Sequence, residues 1–284
     1  MIDIIRQRLE QHRPVNENET RQIVKEILQE LSLYGLWRAG FFEVAAFQGG
    51  TSLRILHGLP RFSEDLDFIL KTPDEHFNWS SYCDTLRDQL TQFGLSTEIK
   101  PSGRLDRTVR AAMIKEDSII NQLDIALDSS PGRKIRIKLE IDVVPPEGSG
   151  FQYRYLDFPL DFEVCHQDLS SNFALKIHAL LCRPWVKGRD WFDFAWYVRQ
   201  RIHPNLPLLE NALAQYGPWA GTAPPVDRAW LTAALRQRVD SIDWDDARTD
   251  VRRFLSSQEL PGLDLWGTRF FTARIDTMEQ YFDG

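Results

Sequence analysis

The chain has 284 residues, 43% of them hydrophobic and 26% charged, with a formal net charge of −7. That is enough apolar content for one large or two modest globular domains, and the negative balance argues against a generic nucleic-acid coat, which needs surplus Lys and Arg. Cys83, Cys165 and Cys182 are scattered and form no CxxC pair, which excludes a disulfide framework or thiolate zinc site and fits a reducing cytoplasm.

The first residues, Met1 to Arg6, lack the apolar core of a signal peptide, and no apolar run approaches the roughly 20 residues of a membrane span. The opening 38 residues read as helix. Asn16 followed three later by Glu19 has the pattern of a capping box, and Ile23, Ile27, Leu28 and Leu31 recur at helical spacing. Phe42 to Phe47 predicts a short strand, Gly49-Gly50 a turn, and Thr51 to His57 a short helix. Asp65 to Leu70 alternates and predicts a strand paired back on the first, with Leu66, Phe68 and Leu70 on its inner face. Trp79 to Phe93 predicts a helix, and Arg107 to Lys115 a strand.

The clearest strand is Arg133 to Val144. Ile135, Ile137, Leu139, Ile141 and Val143 make one face, and Lys134, Arg136, Lys138, Glu140 and Asp142 the other. Pro145-Pro146 breaks it. From Asp168 the pattern turns helical: Asp168 to Cys182, Arg189 to Arg201, Trp230 to Val239 and Asp245 to Ser256. The expected architecture is α/β (α+β), with a mixed sheet, followed by a mainly helical C-terminal domain. The α/β domain with its helical lead covers residues 1–165, and the helical domain covers 166–284.

The chemistry concentrates in Gln48-Gly49-Gly50-Thr51-Ser52-Leu53 and Arg61-Phe62-Ser63-Glu64-Asp65-Leu66-Asp67-Phe68. Gly49 and Gly50 let the backbone approach a phosphate, and a helix starting there aims free N–H groups at it. Thr51, Ser52 and Ser63 offer hydroxyls, and Arg61 a cation that either offsets the local negative charge or contacts a phosphate oxygen. Asp65 and Asp67, two apart on a strand, project from one face roughly 7 Å apart. That spacing suits one or two Mg²⁺ ions (or Mn²⁺) bridging to substrate phosphates. Glu140 and Asp142 are candidates for a third carboxylate and general base. Glu140 is preferred because it sits deeper in its strand.

Those segments resemble the first motif of the AbiEii/AbiGii nucleotidyltransferase toxins, a family within the polymerase-β-like nucleotidyltransferase superfamily. Lys138-Leu139-Glu140-Ile141 resembles the family's second motif, and Asn172 to Leu180, with Lys176 central, its third. Lys187-Gly188-Arg189-Asp190-Trp191-Phe192-Asp193 resembles its fourth. The likeness spans residue 48 to about 197, and the stretch from about 205 carries no recognised motif. The resemblance implies a polymerase-β-like core and a metal-dependent nucleotidyltransferase that moves NMP from an NTP to an acceptor hydroxyl, such as the 3′ end of tRNA. It also implies a toxin with a separate cognate antitoxin, or a phage-defence role. A serine matching Ser63 is a phosphorylation point in some members.

On this reading Asp65, Asp67, Glu140, Lys176 and Asp190 are the catalytic set, and Asp65, Asp67 and Glu140 hold the metal. Gly49, Gly50, Thr51, Ser52, Arg61, Ser63 and Lys176 bind the NTP, and Lys176 and Asp190 are expected to reach the cleft from the helical domain. Asp142, Arg189 and Asp193 are further candidates. Lys176 either clamps NTP phosphates or pairs with Asp190. Trp185 and Trp191 either stack on a base or belong to the core. Two rivals share the turn and carboxylates. One is a small-molecule nucleotidyltransferase, which would need an acidic pocket for a cationic acceptor. The other is a non-catalytic module that binds NTP or a partner.

Overall fold

The structure is a computed structural model that describes residues 2–102, 108–116, 135–222 and 224–282. By contacts the chain divides into two compact units. One comprises Met1–Gly58, Phe62–Pro145 and Phe151–His166, and the other Leu59–Arg61, Pro146–Gly150 and Gln167–Gly284.

The first unit opens with two helices, α1 (Ile2–His12) and α2 (Glu17–Arg38), where one helical lead was expected. Pro14 lacks an N–H and Arg13 turns through φ 47°, so the helix cannot continue. Asn16 restarts it, its side chain accepting from Glu19 N at 2.9 Å. The Glu19 carboxylate reaches back to Val15 N at 3.3 Å, one residue before the position a capping box would use.

Phe41–Glu43 then forms a single 3₁₀ turn, and β1 is Ala45–Gln48. The expected strand at 42–47 is therefore shorter and shifted. Its aromatic start is drawn into a cluster instead, with Phe41 packed 4.9 Å from Phe68 and 5.3 Å from Trp79. There follow α3 (Gly49–His57), β2 (Leu66–Leu70), α4 (Ser80–Gln92), β3 (Thr97–Ser102), β4 (Val109–Glu116), β5 (Ile135–Asp142), β6 (Phe151–Leu156) and β7 (Phe162–Gln167). β3, β6 and β7 were not expected from the sequence. Arg107, Arg133 and Lys134 of the predicted strands lie outside the described residues.

The seven strands form one mixed sheet in the order β3-β4-β5-β2-β1-β7-β6. β2 runs antiparallel to β1 and parallel to β5, and β1 runs parallel to β7. The register puts Gln48 opposite Asp67, and Asp67 opposite Glu140, in one row across β1, β2 and β5. Residues in register on neighbouring strands share a face about 4.8 Å apart. Leu66, Phe68, Leu139 and Ile141 are buried, so the alternation turns the carboxylates away from that layer.

The step from β1 into α3 is tight. Gly49 is the first residue of the helix, so the expected Gly-Gly turn is its first turn. Its φ is 77°, and a Cβ there would stand 2.8 Å from Asp67 Oδ2.

The second unit contains α5 (Leu169–Cys182), α6 (Gly188–Arg199), α7 (Leu206–Gln215), α8 (Arg228–Asp240), α9 (Trp244–Arg252) and α10 (Thr268–Phe282), with a 3₁₀ segment at Leu260–Leu265. Asp168, Asn205, Asp227 and Asp243 cap α5, α7, α8 and α9, each accepting from backbone N–H groups of the first turn. Among the described residues no helix is long and apolar enough to cross a membrane.

Two glycines separate backbone strain from crowding. Gly58 also has positive φ, 71°, but a Cβ there meets nothing within 4 Å. Gly58→Ala should therefore cost about 1–2 kcal/mol from the left-handed backbone alone. Gly49→Ala should cost more, because the methyl also drives into Asp67. Urea unfolding of both variants checks this, and equal losses would remove the crowding argument.

Candidate active site

Asp65 immediately precedes β2, Asp67 lies within it, and Glu140 lies in the parallel neighbour β5. The structure thus brings all three predicted carboxylates to one stretch of the sheet. They are answered by Lys138, which the sequence places on the same strand face as Glu140 and within the stretch that resembles the family's second motif. Lys138 Nζ stands 2.6 Å from Glu140 Oε1. Burial works against this ammonium, yet Glu140, Asp65 and Asp67 together hold its pKa above the ordinary lysine value. Asp65 is itself raised, chiefly by burial. Lys25 and Lys138 pull it back down, while Glu64 and Glu140 push it further up. Lys25 Nζ lies 3.8 Å from Glu64.

Asp142, the other candidate on β5, is placed opposite Ile69. Its Oδ1 accepts from Val144 N at 3.0 Å, closing the end of the strand, and burial raises its pKa.

The glycine-started helix α3 presents its first turn beside Asp67. The two hydroxyls expected to face a phosphate turn inward. Thr51 is fully buried, and its Oγ1 bonds the Asp65 carbonyl and lies 2.8 Å from Ser63 Oγ. Ser52 donates to Gly49 O at 2.9 Å. Thr51 therefore holds the loop that carries Asp65, while Ser52 closes the first turn of α3. Ser63 is also fixed from behind, its carbonyl accepting from Gln29 Nε2 at 3.1 Å. Nearby on α3, burial and the proximity of His166 and Arg154 lower the His57 pKa to about 4, so the ring is neutral at physiological pH.

Among the described residues no three His, Cys, Asp or Glu side chains are grouped as a metal site. The donor chemistry nevertheless suits a divalent ion. Magnesium needs one or two carboxylates and completes its shell with phosphate oxygens and water. Lys138 already occupies the role of cation among these oxygens, and Gly49 keeps open the space a side chain would fill against Asp67.

Within the second unit, several of the remaining predicted residues form an ion-pair network. Arg61 is 2% exposed and grips Asp193 with two hydrogen bonds of 2.6 Å each. In this structure the Arg61 guanidinium is engaged in that buried fork. Lys176 Nζ stands 2.8 Å from Asp190 and 2.9 Å from Asp193, and Arg183 Nη1 bonds the other oxygen of Asp190. Of the two roles open to Lys176, the structure displays the ion pair.

The spacing explains the assembly. Lys176 and Arg183, seven apart, share a face of the α5 region, and Asp190 and Asp193, three apart, share a face of α6. Burial opposes the Asp190 charge, but Lys176, Arg183 and Lys187 more than offset it and hold its pKa below the usual carboxylate range. Arg189 is directed to α9, with its backbone N–H on Asp250 at 3.3 Å and its guanidinium over Phe254 at 4.2 Å. Trp191 is 1% exposed and belongs to the core, whereas Trp185 is 64% exposed.

Asp193 is the residue whose loss this network tolerates least. Asp193→Ala would leave the Arg61 guanidinium and part of the Lys176 charge buried without an anion, a loss of about 3–5 kcal/mol. Chemical denaturation should show it, and a change under 1 kcal/mol would mean that the pair is not buried in solution.

A family model described as nucleotidyl transferase AbiEii toxin, type IV TA system, matches residues 31–273. A search among curated proteins gives no match. Two solved Helicobacter pylori structures are similar in fold. JHP933 is 18% identical with a TM-score of 0.51, covering 94% of this chain and 92% of its own. A candidate nucleotidyltransferase is also 18% identical, with a TM-score of 0.47, covering 89% of this chain and 93% of its own. The family match takes in β2 with Asp65 and Asp67, β5 with Glu140, and α5 and α6 with their ion-pair network. The chain belongs to the AbiEii family of nucleotidyl transferase toxins of type IV toxin–antitoxin systems.

Proposed function

We propose that this chain transfers a nucleoside monophosphate from an NTP to the 3′-terminal hydroxyl of tRNA, with a divalent metal ion, and that a separate antitoxin protein counters it. The observation that carries the reading is the arrangement of Asp65, Asp67 and Glu140 around one cation, Lys138, beside the glycine-started N-terminus of α3. Asp65 and Asp67 would hold the metal ion, with Glu140 within the same set. When bound, such an ion neutralises phosphate charge as a Lewis acid and stabilises the leaving pyrophosphate.

The chain's own residues account for the rest of the chemistry. The backbone N–H groups of the first turn of α3 point at the triphosphate, and Gly49 permits that approach. Glu140 accepts the proton of the attacking hydroxyl. The acceptor oxygen forms a bond to the α-phosphorus as the bond to the β-phosphate oxygen breaks, and pyrophosphate leaves with that electron pair. Lys138 contacts Oε1 of Glu140, which leaves Oε2 as the oxygen that takes the proton.

The assay is incubation with total tRNA, Mg²⁺ and each labelled NTP in turn. Label should enter RNA with at least one NTP. Asp67→Ala should lower the rate by 10²-fold or more, roughly 3 kcal/mol of transition-state stabilisation. Label found in a small molecule or in the protein, with none in RNA, would overturn the tRNA reading, and label nowhere would overturn transfer itself.

A further inference from the structure

The loop between α5 and α6, Arg183-Pro184-Trp185-Val186-Lys187, displays a large aromatic ring in water from a backbone that is held at both ends. Arg238 fixes the start, donating to Leu180 O at 3.0 Å and to Arg183 O at 2.7 Å. Gly188 fixes the end: a Cβ there would stand 1.8 Å from the carbonyl oxygen of Ala247, so this stretch lies directly on the α9 backbone. Between these anchors Trp185 is 64% exposed. The Arg183 guanidinium lies over its ring, 5.7 Å from the centroid, leaving the opposite face to a ligand.

Lys187 supplies the second element. Among the described residues its ammonium has no hydrogen bond or ion pair. Lys176, Arg183 and Arg61 already share Asp190 and Asp193. The neighbourhood therefore carries surplus positive charge. Burial lowers the Lys187 pKa, and Lys176, Arg189 and Arg183 add to the fall against the pull of Asp190. A half-buried cation in this setting gains an anion at little cost to any existing pair.

We propose that Trp185 and Lys187 bind single-stranded RNA, the indole stacking on a base and the ammonium taking an adjacent phosphate. This deepens the RNA-acceptor reading and rests on it for its biological meaning. A polymer is the occupant favoured over a free nucleotide. One exposed ring and one ammonium give a stacking surface without enclosing walls. Stacking of that kind contributes roughly ten- to hundred-fold in affinity, useful when the ligand is also held elsewhere along its length.

The test is fluorescence anisotropy of a 5′-labelled single-stranded RNA of about ten nucleotides, with neither NTP nor metal present. Trp185→Ala should weaken binding by roughly ten-fold or more, and Trp185→Phe should retain most of it. Lys187→Gln should weaken binding and reduce the salt slope by about 0.7, the value for one phosphate contact on a single strand. Tyr216→Ala, which removes a 73% exposed aromatic from the same unit, should bind as wild type does. Trp185→Ala binding as tightly as wild type, or losing affinity for free ATP but not for RNA, would overturn the proposal. The outcome is separable from that of the transfer assay. Trp185-dependent RNA binding by a protein that labels no RNA would retain this inference and sink the transfer reading. Equal RNA labelling and binding by Trp185→Ala and wild type would do the reverse.

Discussion

The first unit depends on one register. With Gln48 opposite Asp67 and Asp67 opposite Glu140, three strands bring their polar side chains into a single row. A slip of one residue would turn every one of them into the apolar layer. The chain then leaves β1 through Gly49, whose missing Cβ is what lets the start of α3 lie against Asp67. Sheet pairing and helix placement are therefore one constraint. The Thr51 hydroxyl serves it from inside, tying α3 to the Asp65 carbonyl, and the Ser52 hydroxyl closes the first turn on the Gly49 carbonyl. Three acidic side chains are tolerated side by side because Lys138 stands among them.

The second unit solves a different problem with similar chemistry. Its helices carry Lys176, Arg183, Asp190 and Asp193 at spacings that face one another, and Arg61 completes the set. Buried charges are expensive unless each is paired and hydrogen-bonded. Asp193 meets that demand by accepting a two-pronged Arg61 fork and a lysine, and Asp190 by accepting a lysine and an arginine. Such a network adds little net stability compared with apolar packing, and removing one of its members leaves the opposite charge buried without a partner.

Much of this was legible in the sequence where a pattern was long or chemically distinctive. The ten-residue alternation around Glu140 gave β5, and alternation from Asp65 to Leu70 gave β2 to within one residue, with Asp65 just before the strand instead of on it. Helical periodicity put Lys176 with Arg183 on one face and Asp190 with Asp193 on another, and residue type offered the Lys176–Asp190 pair as one of the roles open to that lysine. Other features left no such trace. β6 is exposed along nearly its whole length and lacks the in-and-out alternation that betrays a strand. β1 was misplaced because a short apolar run does not distinguish a strand from a packed 3₁₀ turn. The pairing of Arg61 with Asp193 leaves no trace because the two lie 132 positions apart, and nothing local announces a long-range ion pair. Alternation alone shows Lys138 as one charge on a polar face. Its role among three carboxylates required knowing which strand lies next to β5.

The overall charge of −7 at first argues against RNA as a partner, but charge acts locally in salt. At physiological ionic strength the screening length is about 8 Å, so a phosphate responds to the side chains it touches more than to the net balance. What matters is whether cations near a contact are already spent. In the ion-pair network two carboxylates are shared among three cations, and Lys187 stands outside those pairs. An acidic surface elsewhere repels polyanions that approach at random. A protein built this way would discriminate by place: weak attraction over most of its surface, and a small region where charge and an exposed indole reward a strand that arrives in one orientation.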